Sequence, residues 1–187
     1  GKVLASASAD RTVKLWSIPN GQRLDTLSQP TKEQTSVVFS ADGKTLFAAG
    51  GDNRIRSWSI SAAAKEGTNK ILTSLFAHEG TILSLALSLD GKLLASTSTN
   101  KTLKIWNTAG LAEKLPLEAQ PDWTSALAFT DKAQLIAGRI DGSLSLYESA
   151  TGKAVAAPMA PKPAKPAKLE LTSITPRGAH IGGELLV

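Results

Sequence analysis

The chain has no cysteine, one methionine, one tyrosine and two histidines among 187 residues. Without cysteine there are no disulfides and no thiolate metal sites, a composition compatible with either redox compartment. His180 has no second histidine or cysteine beside it, so a metal site there needs ligands from elsewhere. No run of about 18 apolar residues occurs, which excludes a transmembrane helix in this stretch. There is no Gly-x-Ser-x-Gly elbow for an α/β-hydrolase nucleophile. Gly43-Lys44-Thr45 is no phosphate loop either, because Val38 stands where that loop needs its first glycine. Strong charge is missing as well. The net charge is +5, of which residues 151–187 carry +3. The rest lacks the basic cluster interleaved with aromatics that marks a nucleic-acid surface. No signal-peptide pattern opens the chain; Gly1 falls inside a repeat and reads as a cut end.

What is present is a twelve-residue pattern written four times. It reads ASASADRTVKLW to Trp16, FAAGGDNRIRSW to Trp58, ASTSTNKTLKIW to Trp106 and IAGRIDGSLSLY to Tyr147, with spacings of 42, 48 and 41 residues. Apolar and polar residues alternate within it, as half-buried strands require. The third repeat is the clearest. Leu83, Leu85 and Leu87 share one parity on an inner strand, and Leu89-Asp90-Gly91-Lys92 makes a tight turn. Strands then run from Leu93 to Ser98 and from Thr102 to Trp106, with an outer strand near Lys114–Leu117 where Pro116 demands an edge. Leu4, Leu46, Leu94 and Leu135 each stand six residues before Asp10, Asp52, Asn100 or Asp141. A period near 40 residues with four short strands is that of a β-propeller blade, whose faces are buried only against neighbouring blades. The expected fold is therefore all-β, an incomplete propeller of about 3.5 four-stranded blades. The expected boundaries are 1–28 for a partial blade, 29–77 and 78–119 for two blades, and 120–157 for a degenerate one.

These repeats resemble the WD-repeat family over residues 1–157. In that family a His before the first strand, a Ser or Thr on the second, an Asp in the next turn and a Trp on the third form a hydrogen-bonded tetrad. Carried over position by position, the resemblance implies His78, Ser98, Asn100 and Trp106 in the third repeat, with Asn in place of Asp. It implies Ser8, Asp10 and Trp16 in the first. The second keeps Asp52 and Trp58 with Gly50 at the hydroxyl position. The fourth keeps Asp141, with Arg139 and Tyr147 replacing Ser and Trp. The dipeptide that names the family drifts to Trp16-Ser17, Trp58-Ser59, Trp106-Asn107 and Tyr147-Glu148.

Residues 158–168 form a Pro/Lys-rich linker with polyproline character. Residues 169–187 alternate at Leu169, Leu171 and Ser173 before a Thr175-Pro176-Arg177-Gly178 turn. That stretch resembles the start of an immunoglobulin-like module of the IPT/TIG type, found after propellers in large exported bacterial proteins. The resemblance implies an extracytoplasmic bacterial parent in which the propeller is an accessory to a cytochrome c-like or hydrolytic domain. No Cys-x-x-Cys-His occurs in this chain.

For function, Asp10, Asp52 and Asp141 repeat at equivalent turns, whereas an acid–base pair must converge on one substrate. The chain is therefore expected to be a non-enzymatic scaffold without catalytic residues, metal or cofactor. Its expected partner is a protein or peptide, or another domain of the same chain, and not nucleic acid. Trp123 lies just before an inner strand, and Arg11, Asn53, Lys101 and Arg139 lie in or beside the second-to-third-strand turns. These five are the expected contact residues, Trp123 as an amphipathic anchor.

Overall fold

A computed structural model of the chain describes residues 1–117 and 119–155. The linker 158–168 and the expected immunoglobulin-like start at 169–187 lie outside the described residues. Within them every regular element is a strand. Blade 1 is a three-stranded sheet, β1 (Val3–Ala7), β2 (Val13–Ser17) and β3 (Arg23–Leu27). Blade 2 has four strands, β4 (Gln34–Phe39), β5 (Thr45–Gly50), β6 (Arg54–Ser59) and β7 (Lys70–Phe76). Blade 3 comprises β8 (Ile82–Leu87), β9 (Leu93–Ser98), β10 (Leu103–Asn107) and β11 (Ala112–Pro116). Blade 4 comprises β12 (Thr124–Phe129), β13 (Gln134–Arg139), β14 (Leu144–Glu148) and the two-residue β15 (Ala154–Val155). All pairings are antiparallel between consecutive strands. The inner strands β4, β8 and β12 lie side by side, the arrangement of an incomplete β-propeller.

The parity of each strand decides what its two faces meet. Even-numbered residues of blade 2, Leu46, Ala48 and Trp58, pack on Val13, Leu15 and Leu27 of blade 1. Odd-numbered Phe47, Ala49 and Ile55 pack on Ile82, Leu85, Leu94 and Trp106 of blade 3. Blade 3 repeats the scheme, with Ala95, Leu103 and Ile105 set against Leu135, Ala137 and Tyr147 of blade 4. Trp58, Trp106 and Tyr147 thus each face the preceding sheet. Fully burying a side chain the size of Leu15 or Ile105 contributes about 2 kcal/mol.

Two kinds of bulge recur. One lies between β-strand residues Leu15/Trp16, Ser57/Trp58 and Ile105/Trp106, just before each tryptophan. The other lies at the start of the inner strands, between Gln34/Ser36, Ile82/Ser84 and Thr124/Ala126. At these inner bulges polar side chains bond across the blade boundary. Thr35 Oγ1 donates to the Ile82 carbonyl at 2.5 Å, Ser36 Oγ accepts from the Leu85 amide at 3.0 Å, and Thr97 Oγ1 donates to the Thr124 carbonyl at 2.8 Å.

Candidate functional site

The aromatic that closes each repeat carries a polar hydrogen into a buried seam, where it needs an acceptor. In blade 3, Trp106 Nε1 donates to Ser96 Oγ at 2.8 Å, and Ser96 Oγ lies 2.7 Å from His78 Nε2. His78 Nδ1 lies 2.6 Å from Thr102 Oγ1, which donates to Asn100 Oδ1 at 2.6 Å. One proton order satisfies every group: Trp106 gives to Ser96, Ser96 to Nε2, Nδ1–H to Thr102, and Thr102 to Asn100. That order requires the neutral imidazole. His78 is 2 % exposed, and burial, with the nearby Lys104 charge, pushes its pKa down to about 4. Asn100 supplies no carboxylate to oppose that fall.

Ser98, expected as the hydroxyl of this network, is not in it. Its Oγ accepts the Asn100 amide at 3.4 Å inside the turn. Ser8 does the same for Asp10 at 3.2 Å, while Trp16 Nε1 bonds Ser6 at 2.9 Å. The register explains the correction. Trp106 pairs directly with Leu94 and Trp16 with Leu4. The long indole therefore reaches the diagonal neighbour, Ser96 or Ser6, and stops two residues short of Ser98 or Ser8. Asp10 accepts from Thr12 at the rim, and the Lys14 ammonium beside it, with the Thr12 hydroxyl, holds its carboxyl well below the usual range.

Blades 2 and 4 lack that hydroxyl, since Ala48 and Ala137 occupy its position. Gly50, at the position equivalent to Ser98, sits where an added Cβ would lie 2.0 Å from the Glu33 carbonyl, so only glycine fits. Trp58 Nε1 donates instead to Gln29 Oε1 at 3.0 Å. Asp52 forms a buried ion pair with Arg56 at 2.7 Å and accepts from the Thr31 amide at 3.0 Å. Burial pushes the Asp52 carboxyl up, but the Thr31 amide and the Arg56 guanidinium pull it down further, and the net shift is downward.

In blade 4, Tyr147 donates to Gln120 Oε1 at 3.0 Å. Arg139 donates to the same Gln120 oxygen and to Ser145 at 2.7 Å each, and to Ser143 at 3.1 Å. Arg139 was expected on the rim; it is 9 % exposed and turned inward. Asp141 stays in its turn and accepts the Ser143 amide at 2.8 Å. Gln29 and Gln120 escaped the sequence reading. The available signal was their spacing, 29 and 27 residues before their aromatics against 28 for His78.

The remaining expected contact residues share one face. Arg11, Asn53 and Lys101 adopt φ of 69°, 63° and 62°, and Gly142 occupies the equivalent place in blade 4 at 83°. Each follows the Asp or Asn of its turn; Arg11 and Lys101 are exposed and Asn53 is half-buried. Lys101 Nζ donates to the Pro121 carbonyl at 3.0 Å and approaches Asp122 at 4.0 Å. Trp123 is 43 % exposed, and its carbonyl accepts the amide of Ile140, which is 59 % exposed, so two exposed apolar residues are paired through their backbones at the top of blade 4. Among the described residues no group of three His, Cys, Asp or Glu side chains converges as a metal site. Nor is any helix there long and apolar enough to cross a membrane.

The profile of the WD domain, G-beta repeat, matches residues 1–17, 21–59 and 69–107. The chain belongs to the WD-repeat family. Blade 4 lies beyond that match, and its WD-repeat architecture is carried by the sheet and the seam. Among similar proteins, Autophagy-related protein 16 of Arabidopsis thaliana is 26 % identical over 157 residues, covering 81 % of this chain and 30 % of the relative. Nuclear distribution protein PAC1 of Arthroderma benhamiae is 31 % identical over 150 residues, covering 69 % and 32 %. The WD-repeat chain thus spans about a third of the length of these relatives. Both are eukaryotic proteins, which lends no support to an exported bacterial context. The crystal structure of the computationally designed Ika8 protein superposes with a TM-score of 0.69 at 24 % identity, covering 83 % of this chain and 45 % of that one, a likeness of fold.

Proposed function

We propose that the chain is a non-enzymatic docking platform whose second-to-third-strand turns and blade connections receive a protein or peptide partner. The observation that carries this reading is the Trp123–Ile140 pair, apolar, exposed and joined through the backbone on the face where Arg11, Asn53 and Lys101 also lie. Exposed aromatics ringed by polar groups are characteristic binding anchors. On that face opposite charges interleave, Asp10 beside Arg11 and Asp122 beside Lys101, which suits a protein partner better than a polyphosphate backbone.

The test is selection of displayed peptides on the immobilised chain, followed by affinity measurement on Trp123→Ala. Loss of an exposed aromatic anchor weakens Kd about tenfold or more. A Kd unchanged in Trp123→Ala and in Arg11→Ala/Lys101→Ala would remove this face as the docking surface.

A further inference from the structure

In blades 1, 2 and 3 the residue before the closing aromatic faces the next blade. Blades 1 and 3 place Leu15 and Ile105 there, and both are fully buried. Blade 2 places Ser57. Ser57 pairs with Phe47 on one side and Thr73 on the other, so the three form one row turned toward blade 3. Where blades 1 and 3 fill the seam with a branched aliphatic side chain, a hydroxymethyl group leaves space. A groove of about 560 Å³ opens there, with Phe47, Ser57 and Thr73 in its wall. Ser57 is 4 % exposed, and its hydroxyl has no hydrogen-bond partner among the described residues. That hydroxyl is not sealed off: it opens on the groove, where a ligand or a water can reach it.

One end of the groove is acidic. Asp42 and Asp90 come from corresponding turns of blades 2 and 3 and both line it, whereas Lys44 and Lys92 of the same turns do not. Each Oδ1 is engaged locally, accepting from Ser40 or Ser88 at 2.6 Å and from the Lys44 or Lys92 amide at 3.0 and 3.1 Å. The serine hydroxyls, with those turn amides, hold both carboxyls below the usual range, so both are charged at neutral pH. Leu72, 58 % exposed, flanks the groove toward the outer strand. The turns involved join β4 to β5, β8 to β9 and β10 to β11, at the ends of the sheets opposite the rim of Trp123. The groove is therefore separate from the docking face.

We propose that this groove is a second binding site, which receives an arginine side chain of a protein partner. The guanidinium lies at the Asp42–Asp90 end and the aliphatic stem lies against Phe47 and Leu72. Its five fixed N–H donors match two carboxylates and the acceptor oxygen of Ser57 better than an ammonium does.

The experiment is a ¹⁵N NMR titration of the full chain with N-acetyl-arginine N-methylamide, with the citrulline analogue as control. A probe of this size binds on the order of millimolar. The expected result is saturable shifts at the amides of 40–44, 57 and 90–92 with arginine and none with citrulline. Asp42→Asn/Asp90→Asn weakens the Kd at least tenfold. Ser57→Leu, which installs the blade 1 residue, abolishes the titration and raises Tm. Should Ser57→Leu fail to fold, Ser57→Ala keeps the space and weakens the Kd by removing the acceptor. Equal titration by citrulline, shifts confined to the Trp123 face, or a Kd indifferent to the Ser57 and Asp42/Asp90 variants overturns the proposal.

Discussion

Blades 2 and 3 give their tryptophans different surroundings. Blade 3 uses a neutral chain of hydroxyls and imidazole, Ser96–His78–Thr102–Asn100, behind Trp106. Blade 2 has no hydroxyl at that position, lets Gln29 accept from Trp58, and buries a charged pair, Asp52–Arg56, nearby. Both tryptophans end up at 2 % exposure or less. The difference teaches that the seam constrains the aromatic and the requirement for partners, while the partners themselves are interchangeable. It also divides the blades energetically. A neutral network degrades gradually when one member is lost, whereas half of a buried ion pair is left uncompensated.

The largest effect expected from that contrast is Arg56→Ala. It strands the Asp52 carboxylate in the seam and destabilises by about 3–5 kcal/mol in urea melts. The double variant Asp52→Ala/Arg56→Ala recovers part of the loss. A single Arg56→Ala no worse than the double variant would erase the distinction between the blades.

Next comes pH. His78 has a folded pKa of about 4, below its unfolded value of about 6.5, so the folded protein binds fewer protons between those values. Its contribution is complete above about pH 6.5 and is lost as pH falls toward 4, on the order of 3 kcal/mol in all. Carboxylates with depressed values, such as Asp42 and Asp90, lose theirs only below about pH 4. His78→Gln, which copies the amide of blades 2 and 4, should flatten the stability curve between pH 6.5 and 4. A slope that persists in His78→Gln would place the titrating group elsewhere.

Ser96→Ala should cost about 1–3 kcal/mol by orphaning Trp106 Nε1 and His78 Nε2. Ser98→Ala, which loses only the long contact to the Asn100 amide, should cost less than about 1 kcal/mol. Equal costs would restore Ser98 to the network.

The smallest effect lies at the turns. Lys101→Gly relieves a left-handed conformation that costs a side chain about 1 kcal/mol and adds chain entropy to the unfolded state. A net gain below about 1 kcal/mol in thermal melts is expected, with the same sign for Arg11→Gly.

Much of the fold was legible because it rests on spacing. The alternation that places Leu85, Leu94 and Ile105 inside is a property of strands, and the expected stretch Leu93–Ser98 coincides with β9. The site was less legible because it rests on reach. Whether Trp106 meets Ser96 or Ser98 depends on pairing register, and the two serines share a strand face that parity cannot divide. Arg139 looked like a rim residue because a charge in a turn usually seeks water. It turns inward because Gln120, Ser143 and Ser145 supply acceptors, of which only Gln120 is marked in the sequence, by its spacing from Tyr147. Blade 2 shows the same limit, since Ser57 is unremarkable until set beside Leu15 and Ile105.

The bonds across the inner-strand bulges have a mechanical consequence. Apolar contacts between two faces are individually weak and carry no preferred bonding direction. A hydroxyl seated on one particular carbonyl, as Thr35 is on Ile82 and Thr97 on Thr124, does have one. Each such bond sets the height of one sheet against the next along the propeller axis, like a pin through stacked plates. The inner parts of blades 2, 3 and 4 are thereby fixed in height against one another.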